Sequence, residues 1–325
     1  MSQTRRRGPG ALVHTCCGTS IPASANTAPL ATSAHTAWRT LESENDTDLF
    51  LKTGGLLVGS VGSRTLAAAA KAATGTAHHR LSAAEMRTAF PALHFADDTE
   101  GLLDQEAGIL LAEPSVRAFR RQAERAGAEL CFGADVDLHS VLTRWRSDHA
   151  VIGGGRRIGA DILVLALGPW LRSLPAGSRW PRVSVERALS HWLDPAEHRT
   201  ALAPDRTPFV TCSDTHGDFH MQPALAGGVR VESHSNGESA DPDKGPRAVD
   251  EAECQAAQTR LAELAGLKPA HRAARVQMRT TTRDGQFAVT RHPWAEDVVI
   301  ISACSGTDFA FAPVIADRVA VTVGT

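Results

Sequence analysis

The segment Val298–Ala320, VVIISACSGTDFAFAPVIADRVA, constrains the fold of this chain more than any other. Its apolar run Val298–Ser302 predicts a buried strand. Cys304-Ser305-Gly306 is a tight turn of small residues. Pro313 is expected to open a helix, because its fixed φ suits the first helical turn. A strand, a small-residue turn and a helix N-terminus together can hold an anionic or electron-accepting ligand. Backbone N–H groups point out of the turn, and the helix dipole adds partial positive charge. The same arrangement also occurs as ordinary α/β connectivity, so on its own it leaves both readings open.

The chain has 325 residues, 42% hydrophobic and 22% charged, which is enough for one large domain or two modest ones. A net charge of -2 gives no footprint for a nucleic-acid partner. The six cysteines have no metal-type spacing, so a reduced, cytoplasmic protein is the default. No run reaches the ~20 apolar residues of a membrane helix. Residues 1–26 carry Arg5-Arg6-Arg7 and Ala23-Ser24-Ala25, a faint outline of a signal peptide. A disordered tail or a misplaced gene start is the preferred expectation.

Periodicity organises the rest. Ala34, Trp38 and Leu41 share one helical face. Leu49–Gly59 predicts two short strands around Gly54-Gly55, and Ala67–Ala73 an alanine-rich helix. In Leu81–Leu93, Ser82 and Glu85 have capping-box spacing and Pro91 stops the helix. Pro114 and Gly127 bracket another helix, with Val116, Phe119 and Ala123 inward and Arg117, Arg120, Arg121 and Arg125 as a solvated face. Ala128–Phe132 then predicts a strand. Ile162–Leu167 is continuously apolar, as a strand covered on both faces would be. Phe209–Cys212, Phe219–Gln222 and Gly228–Ser233 are predicted strands, Ser235–Gly245 a polar loop, and Glu251–Leu264 a helix with Leu261 and Leu264 inward.

Three of these stretches resemble the sarcosine oxidase/N-methyl amino acid oxidase group of the D-amino-acid-oxidase-like FAD enzymes. Ser305, Gly306, Thr307, Asp308, Phe309, Ala310, Phe311, Ala312 and Pro313 follow the frame of that family's flavin-contacting S-G-H-G-F-K-F-A-P, with the His, second Gly and Lys replaced. Ile158–Trp170, IGADILVLALGPW, is similar to its A-D-x-V-V-x-A-x-G-x-W. Gly228–His234, GVRVESH, falls on its G-L-K-L-G-Y-H. The resemblance runs from near Thr27 to the end.

It implies an α/β chain with a Rossmann-like FAD sheet, gathered from residues 100–175 and 287–325 and incomplete at the N-terminus. A mainly antiparallel, α+β substrate region would be gathered from 27–99 and 176–286. Val136, Ala166, Gly168, Trp170 and the turn Cys304, Ser305, Gly306, Thr307, Asp308 and Phe309 would contact FAD. Binding would be noncovalent, since Gln277 stands where several members attach FAD through cysteine. Arg230 would replace the family's lysine beside the flavin, or else be a surface arginine paired with an acid such as Glu232. His220 stands where the family has an active-site tyrosine, and could hold a proton or a substrate hydrogen bond.

The implied reaction oxidises the C–N bond of a small amine or N-methyl amino acid, with oxygen as acceptor and hydrogen peroxide as product. Ala310 replaces the lysine that holds the substrate carboxylate. No strand–GxGxxG–helix unit is present, so a degenerate relative that no longer binds FAD is the alternative. A monomer is expected, with a partner chain as the other way to complete the sheet. His216, Asp218 and His220 alternate along a strand and could hold a metal, but a solvated polar strand is the commoner outcome and no metal is expected. Cys304 is expected to be a small packed residue.

Overall fold

The computed structural model describes residues 14–17, 28–72, 78–138, 141–148, 150–153, 155–174, 183–214, 217–233, 238–302 and 308–324. The chain forms two compact units. The first gathers Met1–Phe119, Leu189–His234 and Val249–Arg275; the second gathers Arg120–Ala188, Ser235–Ala248 and Val276–Thr325.

In the first unit, strands β1 (Gly55–Ser60), β2 (His79–Ser82), β3 (Thr99–Asp104), β4 (Phe209–Asp214), β5 (Gly217–Leu225) and β6 (Gly228–Ser233) belong to an eight-stranded sheet. Val183–Asp194 and Ala270–Thr282 complete it beyond β6. β1 runs parallel to β4, with Gly55 opposite Phe209. The pairings β1–β3, β2–β3, β4–β5 and β5–β6 are antiparallel. Leu189–Leu193 runs antiparallel to Val229–Ser233.

Alternation assigns the faces. Leu56, Val58, Leu193, Val210, Phe219, Met221, Val229 and Val231 form a core with Ala257, Leu261 and Leu264 of helix Glu251–Ala265. That helix starts at a capping box of Asp250 and Glu253 and ends at Gly266, whose φ of 62° places it in the left-handed region.

A smaller sheet in the same unit pairs Phe50–Lys52 and Gly108–Leu111 with a third strand, His14–Cys17. Its presence corrects the expectation of a disordered tail at His14–Cys17; the rest of 1–26 lies outside the described residues. Antiparallel pairing from His14↔Leu111 to Cys17↔Gly108 satisfies backbone groups that a tail would leave to water. Helix Ala28–Asn45 buries Ala31, Ala34, Trp38 and Leu41, as its spacing requires. The Glu42 carboxylate accepts the N–H groups of Leu49 and Phe50, each at 2.7 Å, and ties the helix to the next strand. Ser82 and Glu85 form the predicted capping box.

Helix Ala112–Arg125 buries Ala112, Ser115 and Ala118, and Val116 is exposed. Of the three residues expected inward, Val116 is exposed, whereas Phe119 and Ala123 are half-buried beside these small residues. Small side chains allow close approach at the contact, whereas a hydrophobicity pattern selects the valine. Phe119 meets Trp38 edge-on, with ring centroids 5.4 Å apart.

In the second unit, Ala295–Ser302 pairs parallel with Leu163–Leu165 and antiparallel with Ala288–His292. Val141, Trp145, Leu165, Leu171, Leu174, Val298 and Ile300 form its core. The Trp145 indole N–H donates to the Asp297 carboxylate at 2.7 Å. Helix Asp308–Val323 follows the strand, and its Phe311 and Arg318 both meet Phe287.

Three expectations are corrected in this unit. The strand predicted over Ile162–Leu167 is confined to Leu163–Leu165, and Val164 is 40% exposed. Among the described residues it forms one edge of a three-stranded sheet, so one side of its backbone has no ladder partner there. Pro313 lies inside helix Asp308–Val323 and does not open it. Starting at Asp308 costs one backbone bond, to the Phe309 carbonyl, which the proline cannot make. Ala128–Phe132 is not a strand, and Phe132 is 69% exposed. No extended neighbour pairs with it among the described residues.

Candidate functional site

The face of the large sheet opposite helix Glu251–Ala265 is built from the same strands, one residue out of phase. Arg230 lies opposite Trp192 on one side and Gln222 on the other. One rung along, Glu232 lies opposite Ser190 and His220, and His220 opposite Thr211. Directly opposed and i, i+2 residues share a face. The first unit thus places Trp192, Arg230, Gln222, Ser190, Glu232, His220 and Thr211 on one surface. Both expected catalytic residues, Arg230 and His220, are brought together there.

Arg230 is 3% exposed. Its guanidinium pairs with the Glu232 carboxylate and donates to Ser190 Oγ at 2.9 Å. Ser190 Oγ in turn donates to Glu232 at 2.7 Å. The guanidinium lies 5.5 Å from the centre of the Trp192 ring. Arg230 thus pairs with Glu232, as one of the two sequence alternatives expected, but it does so buried and not at the surface. Burial pushes its pKa down from the ordinary guanidinium value, and the Glu232 charge opposes that. An arginine remains a cation at neutral pH in either case. A buried cation, already desolvated and held by a carboxylate and a hydroxyl, can stabilise negative charge developing on a bound ligand.

His220 is half-buried. Its Nδ1 lies 3.0 Å from Thr211 Oγ1, and its ring stacks on Phe209 at 5.8 Å. The hydroxyl contact and the stacking on Phe209 fix the ring's orientation. Of the alternating metal set, Asp218 is exposed and His216 lies outside the described residues.

Trp192, Ser190, Gln222 and Thr211 were missed by the sequence reading. The alternation V-R-V-E and F-H-M-Q carried the signal, since each pair of polar residues shares a face set against an apolar one. A buried reading of that polar face is unusual, because charged residues are mostly exposed.

The second unit provides a different surface. Leu163↔Val298 and Leu165↔Ile300 set the two parallel strands level, so both chains leave at the same, carboxyl edge. Ligands of open α/β sheets bind at that edge. Gly168 opens a short 3-10 helix, Gly168–Ser173, with φ 53°, and among the described residues, its chain neighbours apart, no heavy atom lies within 4 Å of the position its Cβ would take. Trp170 is 41% exposed; Ala166 and Val136 are also exposed. Phe309 is half-buried in the helix opened by Asp308. Cys304, Ser305, Gly306 and Thr307 lie outside the described residues. Gln277 is in strand Ala270–Thr282.

A model of the FAD dependent oxidoreductase family matches residues 3–321. The family match therefore begins well before Thr27, where the sequence reading started it. Monomeric sarcosine oxidase of Streptomyces avermitilis is 28% identical over 304 residues, covering 90% of this chain and 77% of that protein. N-methyl-L-tryptophan oxidase of Salmonella arizonae is 26% identical over 300 residues, covering 89% and 77%. Among solved structures, NikD, an unusual amino acid oxidase, superposes with a TM-score of 0.77 at 19% identity, covering 98% of this chain and 84% of that one. L-proline dehydrogenase from P. horikoshii gives a TM-score of 0.79 at 16% identity, covering 95% and 82%. These two likenesses concern the fold.

Proposed function

The chain belongs to the family of FAD-dependent oxidoreductases, and from that premise we propose that it oxidises the C–N bond of a small secondary amine or N-methyl amino acid, with oxygen as acceptor and hydrogen peroxide as product. The observation that carries the proposal is Arg230, a cation buried at 3% exposure on the polar face of the first unit's sheet.

In this reading the first unit serves the substrate and the second the cofactor. The carboxyl edge of Leu163–Leu165 and Ala295–Ser302 fits a flat, partly apolar ligand. Gly168 leaves open space above its backbone, and Val164 and Trp170 offer apolar surface at 40% and 41% exposure. Gly168, Ala166, Trp170, Val136 and Phe309 would hold FAD, together with Cys304, Ser305, Gly306, Thr307 and Asp308. Binding is noncovalent, because Gln277 offers no thiol for attachment. The bound flavin supplies the two-electron acceptor that amino acid side chains lack.

The chain's own residues bind and orient the substrate. Arg230 offsets negative charge as it develops, with Ser190 and Glu232 fixing its position. His220, oriented by Thr211 and Phe209, would hold a proton or hydrogen-bond the substrate. Trp192 gives an aromatic wall beside the cation. Ala310, which by the family resemblance replaces a lysine that holds the substrate carboxylate, is buried. Substrates whose binding does not depend on that clamp are therefore favoured.

The test is a screen of N-methyl amino acids and small secondary amines for amine-dependent peroxide formation by the FAD-loaded chain. Activity that falls about 100-fold or more in Arg230→Met and is partly kept in Arg230→Lys supports the proposal. Undiminished activity in Arg230→Met would remove Arg230 from the reaction.

A further inference from the structure

His191, Cys254 and His271 stand together in the first unit, on the helix side of the large sheet and away from the polar face described above. Their ligand atoms all lie within 4.8 Å of one another. His191 Nδ1 and His271 Nε2 are 3.2 Å apart. Two nitrogens bound at about 2.0–2.1 Å in a tetrahedral shell lie about 3.3 Å apart, so this pair already has the spacing of neighbouring zinc ligands. We infer that His191, Cys254 and His271 form a site for a borderline divalent cation such as zinc, with water in the fourth position.

Three features support the site. His191 is 1% exposed, whereas Cys254 and His271 are half-buried, so the ligand set is fixed on one side and open to solvent on the other. Imidazole and thiolate together select zinc-like ions over magnesium or calcium. Asp250 caps the helix that carries Cys254, and Glu251 and Glu253 lie in its first turn, so the site stands among carboxylates whose charge favours a cation. The alternative is a simple imidazole–imidazole hydrogen bond, which would leave Cys254 as a bystander.

The three residues come from separate places in the chain. Cys254 is in the opening of helix Glu251–Ala265, His271 is the second residue of strand Ala270–Thr282, and His191 is in Val183–Asp194. A bound ion would fasten the helix and the outer strand to their neighbour. His191 sits between Ser190 and Trp192, whose side chains point to the opposite face. The ion is therefore structural and takes no part in amine oxidation, and the inference does not depend on that activity.

The test is elemental analysis and zinc X-ray absorption on the full chain, incubated with one equivalent of zinc and desalted. The expected result is one zinc per chain, with one sulfur at about 2.3 Å and nitrogens at about 2.0 Å. Cys254→Ser should lose the sulfur shell, and both it and His271→Gln should retain about tenfold less zinc or below. No retained zinc in the parent chain, a shell without sulfur, or unchanged retention in folded variants would each overturn the inference. The parent measurement decides even where a variant fails to fold.

Discussion

In the large sheet, Arg230 is 3% exposed and meets Glu232, Ser190 and Trp192. In the three-stranded sheet, Val164 is 40% exposed and stands next to Leu165 at 4%. One sheet encloses a charge, and the other leaves a valine in the open. A buried ion persists only where partners replace its water. The first sheet encloses a polar cluster and the second exposes an apolar strand; in the proposed reading the first meets the substrate and the second is the platform for the cofactor.

The comparison can be broken most directly at Arg230. Arg230→Met should cost about 1–3 kcal/mol of unfolding free energy, because Glu232 loses its cation and keeps only the Ser190 hydroxyl and partial solvent contact. Denaturant titration would show this. Adding Glu232→Gln should recover most of that stability without recovering amine oxidation. Recovery of both would mean that the pair only holds the fold.

On the platform side, Gly168→Val tests the opposite property. The backbone cost at φ 53° is about 1–2 kcal/mol, with no clash to add. FAD affinity should nonetheless fall about tenfold or more, the equivalent of 1.4 kcal/mol. Unchanged FAD retention would mean that the open space above Gly168 is not used.

Trp145→Phe probes what supports the platform. It removes the indole N–H that meets Asp297 and should cost about 1–2 kcal/mol in thermal or denaturant unfolding. A neutral result would show that Asp297 is fully served by other partners.

The smallest effect is set by pH. Burial alone would raise the Glu42 pKa, but the N–H groups of Leu49 and Phe50 and the Arg39 guanidinium outweigh it and hold the carboxyl below its ordinary 4.5. A lowered folded pKa stabilises fully above the unfolded value and is lost as pH falls through the folded one. Stability should therefore drop in the parent chain below about pH 4.5, and the drop should be shallower in Glu42→Gln. Equal slopes in the two proteins would exclude Glu42 as the source.

Much of this was legible in the residues. The Ser82–Glu85 capping box, the face of Ala28–Asn45 and the strands around Arg230 and His220 follow from local spacing. What was not legible depends on partners distant in sequence. The alternation of Gly228–Ser233 gives two faces, but it cannot say that the charged one is the buried one. That depends on Ser190 and Trp192, about 40 residues earlier in the chain. Ala128–Phe132 has strand-like composition and no pairing edge. Val164 lies in a run as apolar as a central strand, yet that run is an edge. His14–Cys17 is undistinguished as sequence and becomes a strand because Gly108–Leu111 offers it a register.

The visible absorption spectrum of the purified chain, taken after incubation with FAD and desalting, tests the central claim most directly. A retained flavin band is the predicted result. It should be weakened in Gly168→Val and kept in Arg230→Lys. A colourless chain in the folded parent protein would contradict the account, because the carboxyl edge of Leu163–Leu165 and Ala295–Ser302 would then not be a cofactor platform.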